Sequence, residues 1–223
     1  ARTGKEETQL KSLAYQPQSG VVRALAAAGV SLLLGLGLAG AAQANETAKT
    51  VCAGCHGPQG DAPIAPTFPN LAGLQKEYIV KQLNDFISGK RKNDMMAPIV
   101  ADLKPEDIGP IAEYFSQQKP TSGKAENRMA ASAGKVLYNQ GNDESGVPAC
   151  VGCHQEKGGG YIGPTAIYPR IAGQQVEYVK QQLKDFASGA RANDPSRFMR
   201  TTAKRMTEEE IEEVAQYLVG VGE

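Results

Sequence analysis

An all-α fold in two repeated halves is what this sequence predicts, and three observations carry the expectation. Apolar residues recur at helical spacing, as in Tyr78, Val80, Leu83, Phe86 and Ile87, and again in Tyr178, Val179, Leu183 and Phe186. No stretch sustains the apolar and polar alternation of a strand. The chain also matches itself: Ile64-Ala65-Pro66-Thr67 falls on Ile162-Gly163-Pro164-Thr165, and after a two-residue difference Pro69-Asn70-Leu71-Ala72-Gly73 falls on Pro169-Arg170-Ile171-Ala172-Gly173. The match continues through Glu77-Tyr78, Gln82-Leu83, Asp85-Phe86 and Ser88-Gly89 on Glu177-Tyr178, Gln182-Leu183, Asp185-Phe186 and Ser188-Gly189.

The individual elements follow from local signals. One helix of each half stops at Gly89 or Gly189, where glycine ends the stripe. The last helix opens after Thr207, an N-cap with Glu210 three residues on as a capping box, and presents Ile211, Val214, Ala215 and Leu218 on one face. Its counterpart in the first half begins near Lys104, with Pro105 at the first helical position, and carries Pro110 inside. Residues 117–128 are polar with Pro120 and Gly123 and read as a linker. A chain of 223 residues suits two domains of this kind, which divides it into residues 1–44, 45–120 and 121–223. Lys plus Arg and Asp plus Glu both number 24, so no basic excess points to nucleic acid.

A five-residue motif organises both halves: Cys52-Ala53-Gly54-Cys55-His56 and Cys150-Val151-Gly152-Cys153-His154. Two thiols three apart can form thioethers with both vinyl groups of a haem, and the adjacent imidazole can then supply the fifth iron ligand. The two copies use all 4 cysteines and both histidines of the chain, which predicts two covalently attached haem c groups. A four-cysteine zinc site would leave both trailing histidines idle, and a disulfide framework is not needed by a chain with apolar residues enough for ordinary cores. Covalent haem implies the periplasmic side of a bacterial inner membrane.

Residues 24–42 carry no charge, follow Arg23 and end in Ala42-Gln43-Ala44, a small-residue cleavage pattern. Such a run is an export signal or, at its length, a retained hydrophobic helix anchoring the chain. The protein is then anchored to the membrane if the segment is retained and soluble in the periplasm otherwise.

With both histidines on the thioether side, methionine is the next candidate for the opposite face of each iron. Beyond Asp194 the second half has three extra residues, so Leu103 pairs with Met206 and Met96 with Met199, while Met95 falls on Phe198. Only the Met96 and Met199 position holds methionine in both halves, which makes these the axial candidates beside His56 and His154. Met95 competes for the first iron, because a one-residue slip exchanges the two. Met206 and Met129 read as packing. A thioether favours ferrous iron, so His/Met haems suit electron transfer rather than catalysis at an open iron position.

The two CxxCH motifs, the proline loops, Leu71-Ala72-Gly73-Leu74-Gln75 and Ile171-Ala172-Gly173-Gln174-Gln175, the tyrosine helices, and Met96 with Met199 resemble the bacterial dihaem cytochrome c4 family from about Asn45 onward. The resemblance implies two tandem class I cytochrome c domains related by a pseudo-twofold axis, each wrapped round its haem. It implies an electron carrier of a respiratory chain rather than an enzyme, with a terminal oxidase of the cbb3 type as acceptor and the cytochrome bc1 complex as a possible donor. It also implies that the carbonyls of Pro66 and Pro164 accept the axial histidine N–H.

Six further residues are candidates at the haem. Tyr78 and Tyr178 would pack on porphyrin or in an ordinary core, as would Phe86 and Phe186. Arg91 and Arg191 would pair with propionates or stand as solvated cations. The Lys90-Arg91-Lys92 cluster could steer an acidic partner to the first half, where the second half has Ala190-Arg191-Ala192. The other function such an architecture suits is the dihaem electron-accepting subunit of an enzyme such as flavocytochrome c sulfide dehydrogenase. A dihaem peroxidase would need a histidine-switchable site, and no histidine remains.

Overall fold

The computed structural model describes residues 46–221, and within these both halves belong to one compact unit. The apolar run at 24–42, its cleavage pattern and the boundary at 44 lie outside the described residues. Among the described residues no helix is long and apolar enough to cross a membrane.

The first half opens with a π-helical turn, Ala48–Cys52, that runs straight into α1 (Ala53–His56). Then follow α2 (Lys76–Ile87), α3 (Met96–Ala101) and α4 (Pro105–Ser116). Ala48, Leu74, Ile79, Ile111, Ala112 and Phe115 form its core. Pro105 stands at the start of α4 as expected, where its missing N–H costs no helical hydrogen bond.

The second half comprises α5 (Arg128–Gln140), α6 (Val151–His154), a hairpin of β1 (Tyr161–Ile162) with β2 (Ile167–Tyr168), α7 (Val176–Ser188), α8 (Phe198–Ala203) and α9 (Glu208–Val219). The hairpin holds the two extra residues of this half's loop, and its tyrosines Tyr161 and Tyr168 stack at 5.0 Å. The core joins Leu137, Tyr138, Val179, Leu183 and Phe186 to the whole predicted face of α9, Ile211, Val214, Ala215 and Leu218. Helices α5 and α9 cross at Gly134, where an added Cβ would lie 1.9 Å from the Glu213 carbonyl oxygen, so only glycine permits this approach. The Thr207 hydroxyl accepts from the Glu210 amide at 3.1 Å and the Glu210 carboxylate accepts from the Thr207 amide at 2.8 Å, the capping box read from the sequence.

The stretch between α4 and α5 has no helix or strand, but it is tied down rather than loose. The Gly123 amide donates to the Val219 carbonyl at 2.8 Å, and the amides of Glu126 and Asn127 donate to Gln216 Oε1. Asn127 then caps α5, accepting from the amides of Met129 and Ala130.

Helix α2 keeps part of its apolar stripe, with Tyr78, Val80 and Leu83 packed against the first core, but its fully buried residues are Ile79, Gln82 and Asp85, and Ile87 is exposed. Those polar side chains face the other half, where Asn193 Nδ2 donates to Gln82 Oε1 at 3.0 Å and to Asp85 Oδ2 at 2.7 Å. Lys81 donates to the Asn193 carbonyl at 2.8 Å and pairs with Asp85. Buried polar groups of this kind persist only when satisfied, and here the partners come from residues more than a hundred positions away.

Candidate haem-binding sites

Each CxxCH motif lies on a helical turn, so its two thiols project from one short segment and the histidine follows at the turn's end. Both imidazoles are buried. His56 Nδ1 donates to the Pro69 carbonyl and His154 Nδ1 to the Pro169 carbonyl, each at 2.9 Å. A carbonyl can only accept, so the proton is on Nδ1 and Nε2 carries the free lone pair that a metal requires. Among the described residues no group hydrogen-bonds either Nε2. Burial holds both imidazoles below the ordinary histidine pKa, against the opposing pull of the proline carbonyls, which keeps them neutral.

The expected acceptors Pro66 and Pro164 are therefore corrected to Pro69 and Pro169. Pro66 and Pro164 are exposed, the latter in the turn joining β1 to β2, and the chain returns to the histidine only at the next proline. That second proline was already aligned between the halves; what the sequence lacked was the path of the loop.

The thiols fit the same group: none of the four is taken up in a disulfide, which leaves each available for a thioether bond to a haem vinyl group. Among the described residues no three His, Cys, Asp or Glu side chains converge as a metal cluster, so the four cysteines do not assemble the alternative zinc site.

The methionines differ in exposure. Met96 begins α3 and Met199 stands at the second position of α8, and both are half-buried. Their neighbours Met95 and Phe198 point outward, at 62% and 51% exposure. Met206 packs against the second core, as expected. Met129 does not pack: at 83% exposure in the first turn of α5 it faces solvent, because the core side of that helix is carried by Gly134, Leu137 and Tyr138.

Tyr78, Tyr178, Arg91 and Arg191 come together between the halves in a reciprocal pattern. Arg91 Nη2 donates to the Tyr178 hydroxyl and Arg191 Nη2 to the Tyr78 hydroxyl, each at 3.0 Å. Arg91 also donates to Gln82 and Gln182, and Arg191 does the same. Each guanidinium covers the phenylalanine of its own half, Phe86 at 4.6 Å and Phe186 at 4.5 Å. Neither arginine is a solvated cation, and Arg191 is only 8% exposed. Burial alone would raise the Tyr78 hydroxyl pKa, but the charges of Arg191 and Arg91 outweigh it and hold it below the usual tyrosine value. With Arg91 turned inward, the expected basic cluster is reduced to Lys90 and Lys92, both exposed. Sequence reasoning missed Gln82, Gln182 and Asn193 in this network; their only signal was recurrence at matched positions of the repeat.

Comparison with known proteins agrees with this geometry. A family model described as "Cytochrome c" matches residues 131–222, and one described as "Cytochrome C oxidase, cbb3-type, subunit III" matches residues 39–115. Cytochrome c4 of Thiocapsa roseopersicina is 44% identical over 183 residues, covering 81% of this chain and 93% of that protein. The chain belongs to the cytochrome c4 family. The solved structure of reduced recombinant cytochrome c4 from Pseudomonas stutzeri superposes with a TM-score of 0.74 at 35% identity, over 80% of this chain and 97% of that one. A thiosulfate dehydrogenase electron acceptor of Thiomonas intermedia (strain K12) is 36% identical, covering 75% of this chain and 76% of that protein. As in the cytochrome c4 family, the cofactor is two covalently attached haem c groups, held through Cys52 and Cys55 and through Cys150 and Cys153, and the function is electron transfer.

Proposed function

We propose that this chain is a two-domain, periplasmic electron carrier of a bacterial respiratory chain, divided near residue 120, that delivers electrons to a terminal oxidase of the cbb3 type and can take them from a cytochrome bc1 complex. His56 with Met96 and His154 with Met199 are the axial pairs in this reading. The observation that carries it is the equivalent placement of the two halves: each has a neutral, buried imidazole held by a proline carbonyl and a half-buried methionine on a short helix beyond the tyrosine helix. The bound haem supplies a one-electron couple. The chain's part is to orient each imidazole through Pro69 or Pro169 and to bury the ligands.

The match of residues 39–115 to the cbb3-type description supports the oxidase as acceptor. Rapid mixing of the reduced protein with membranes containing that oxidase is expected to oxidise both haems within the enzyme's turnover time; no oxidation would refute the route. Met96→Leu and Met199→Leu are each expected to remove half of the methionine–iron charge-transfer absorbance. Full retention in Met96→Leu would transfer the first ligand to Met95.

A second reading is favoured by the thiosulfate dehydrogenase electron acceptor among the relatives. In it the chain accepts electrons from a sulfur-oxidising dehydrogenase. Copurification of such an enzyme in fixed ratio, with haem reduction on adding its sulfur substrate, would establish it.

A further inference from the structure

The peptide group that holds each histidine is itself held by the opposite half. Pro69 contributes the carbonyl that accepts from His56, and the N–H of that same peptide, on Asn70, donates to Gln174 Oε1 at 2.7 Å. Gln174 Nε2 returns a bond to the Asn70 carbonyl at 2.9 Å, and Asn70 Nδ2 reaches the Gly173 carbonyl at 2.7 Å. In the other direction the peptide of Pro169 and Arg170 accepts from His154 and donates to Gln75 Oε1 at 2.9 Å, while Gln75 Nε2 donates to the Tyr168 carbonyl at 3.1 Å. Asn70 and Gln174 are both buried, so water does not compete freely for these groups.

The two crossings are equivalent in role but not in sequence position. Gln75 aligns with Gln175, yet the amide of Asn70 is taken by Gln174, whose counterpart is Leu74. Repeat alignment alone would therefore miss the pair.

We propose that Gln174 and Gln75 are positioning residues that each tune the axial histidine of the opposite half through one peptide plane. An acceptor on the peptide N–H polarises the group and makes its carbonyl oxygen more negative, since hydrogen bonds in a chain reinforce one another. A more negative carbonyl strengthens the bond from histidine Nδ1–H and increases the ligand's basicity, which favours ferric iron. The effect is crossed: Gln174, in the second half, acts on His56, and Gln75, in the first, acts on His154. This inference rests on the reading of His56 and His154 as axial ligands.

The test uses the haem-loaded chain and its Gln174→Met and Gln75→Met variants, which keep side-chain bulk while removing the acceptor. At fixed ambient potential, Gln174→Met is expected to raise the ferrous-to-ferric ratio of the first haem two- to fivefold, about 20–40 mV at 59 mV per tenfold, and to leave the second unchanged. Gln75→Met is expected to do the reverse. In the ferrous protein the Nδ1–H proton resonance of the affected histidine moves upfield and the other does not. Gln174→Glu, which keeps an oxygen at the amide, does not raise the first ratio. Equal shifts at both haems in each variant, the response of a merely loosened interface, or no shift in either, would overturn the proposal. Absence of two porphyrin-shifted histidine ring signals in the unmodified protein would overturn the axial reading and this one together, whereas their presence with uncrossed shifts overturns the glutamine role alone.

Discussion

The residue after the motif histidine separates the two halves. The first has Gly57 at φ +85°, where an added Cβ would meet the Ala62 carbonyl oxygen at 2.7 Å. The second has Gln155, at φ +64° and ψ 173°, a backbone region that is otherwise nearly reserved for glycine. The difference teaches that the chain must turn sharply after the histidine in both halves, whichever residue occupies the position. In the second half Tyr138 supports the turn, donating its hydroxyl to the Gln155 carbonyl at 2.6 Å from a fully buried ring. The second half also carries the larger core, closed by the α5 and α9 crossing, while the first buries fewer apolar side chains and directs Gln82 and Asp85 to the interface.

Substitutions in the two cores should break this comparison most strongly. Phe115→Ala empties the centre of the smaller core and should cost about 3–5 kcal/mol, read by denaturant unfolding. Gly134→Ala forces α5 away from the Glu213 carbonyl and should cost about 3 kcal/mol, with the loss confined to the second half if the cores melt separately. A single transition shifted in both variants would instead show that the shared interface makes the halves one cooperative unit.

Gln155→Gly should sharpen the contrast by relieving the strained backbone. A gain of about 1 kcal/mol is expected in thermal unfolding, the strain released being partly offset by the greater freedom of glycine in the unfolded chain. Loss of stability would mean that the Gln155 side chain contributes more than its backbone costs.

The capping residues give a smaller, pH-dependent difference. Glu210 is buried and accepts from Asn142 Nδ2 at 2.8 Å, the Ser145 hydroxyl at 2.7 Å and the Thr207 amide, whereas its counterpart Asp107 accepts from the Lys104 amide at 3.3 Å. Burial would raise the Glu210 carboxyl pKa, but these donors outweigh it and hold it below the ordinary 4.5. A carboxyl with a depressed folded value stabilises above its unfolded pKa, and that contribution disappears as pH falls through the folded value. Glu210→Gln should therefore cost about 1 kcal/mol at pH 7 and flatten the acid limb of stability below pH 5. At the bottom of the scale, Lys76→Met breaks the exposed pair with Glu113, 2.6 Å apart, and should give no measurable change in midpoint.

Much of the fold was legible because its signals are local. The Thr207 and Glu210 box, Pro105 at a helix start and the face of Ile211, Val214, Ala215 and Leu218 concern residues a few positions apart, and the structure has them as read. The stripe on α2 was legible as far as Tyr78, Val80 and Leu83, which pack on the first core, but periodicity could not show that Gln82 and Asp85 are buried against a polar partner surface while Ile87 is exposed. For Arg91 and Arg191 the sequence left open a solvated cation, which the structure removes because the other half supplies Tyr178 and Tyr78 as partners.

By itself, then, the sequence determined the duplication, the two haem attachment motifs and the matched methionines, since each depends only on residue type and spacing along one chain. Which proline accepts from each histidine, and which glutamine of the opposite half holds that peptide, was decided only when the loops returned and the two halves met. Hydrogen bonds between residues about a hundred positions apart have no local signature, and their geometry exists only once the backbone on both sides is fixed.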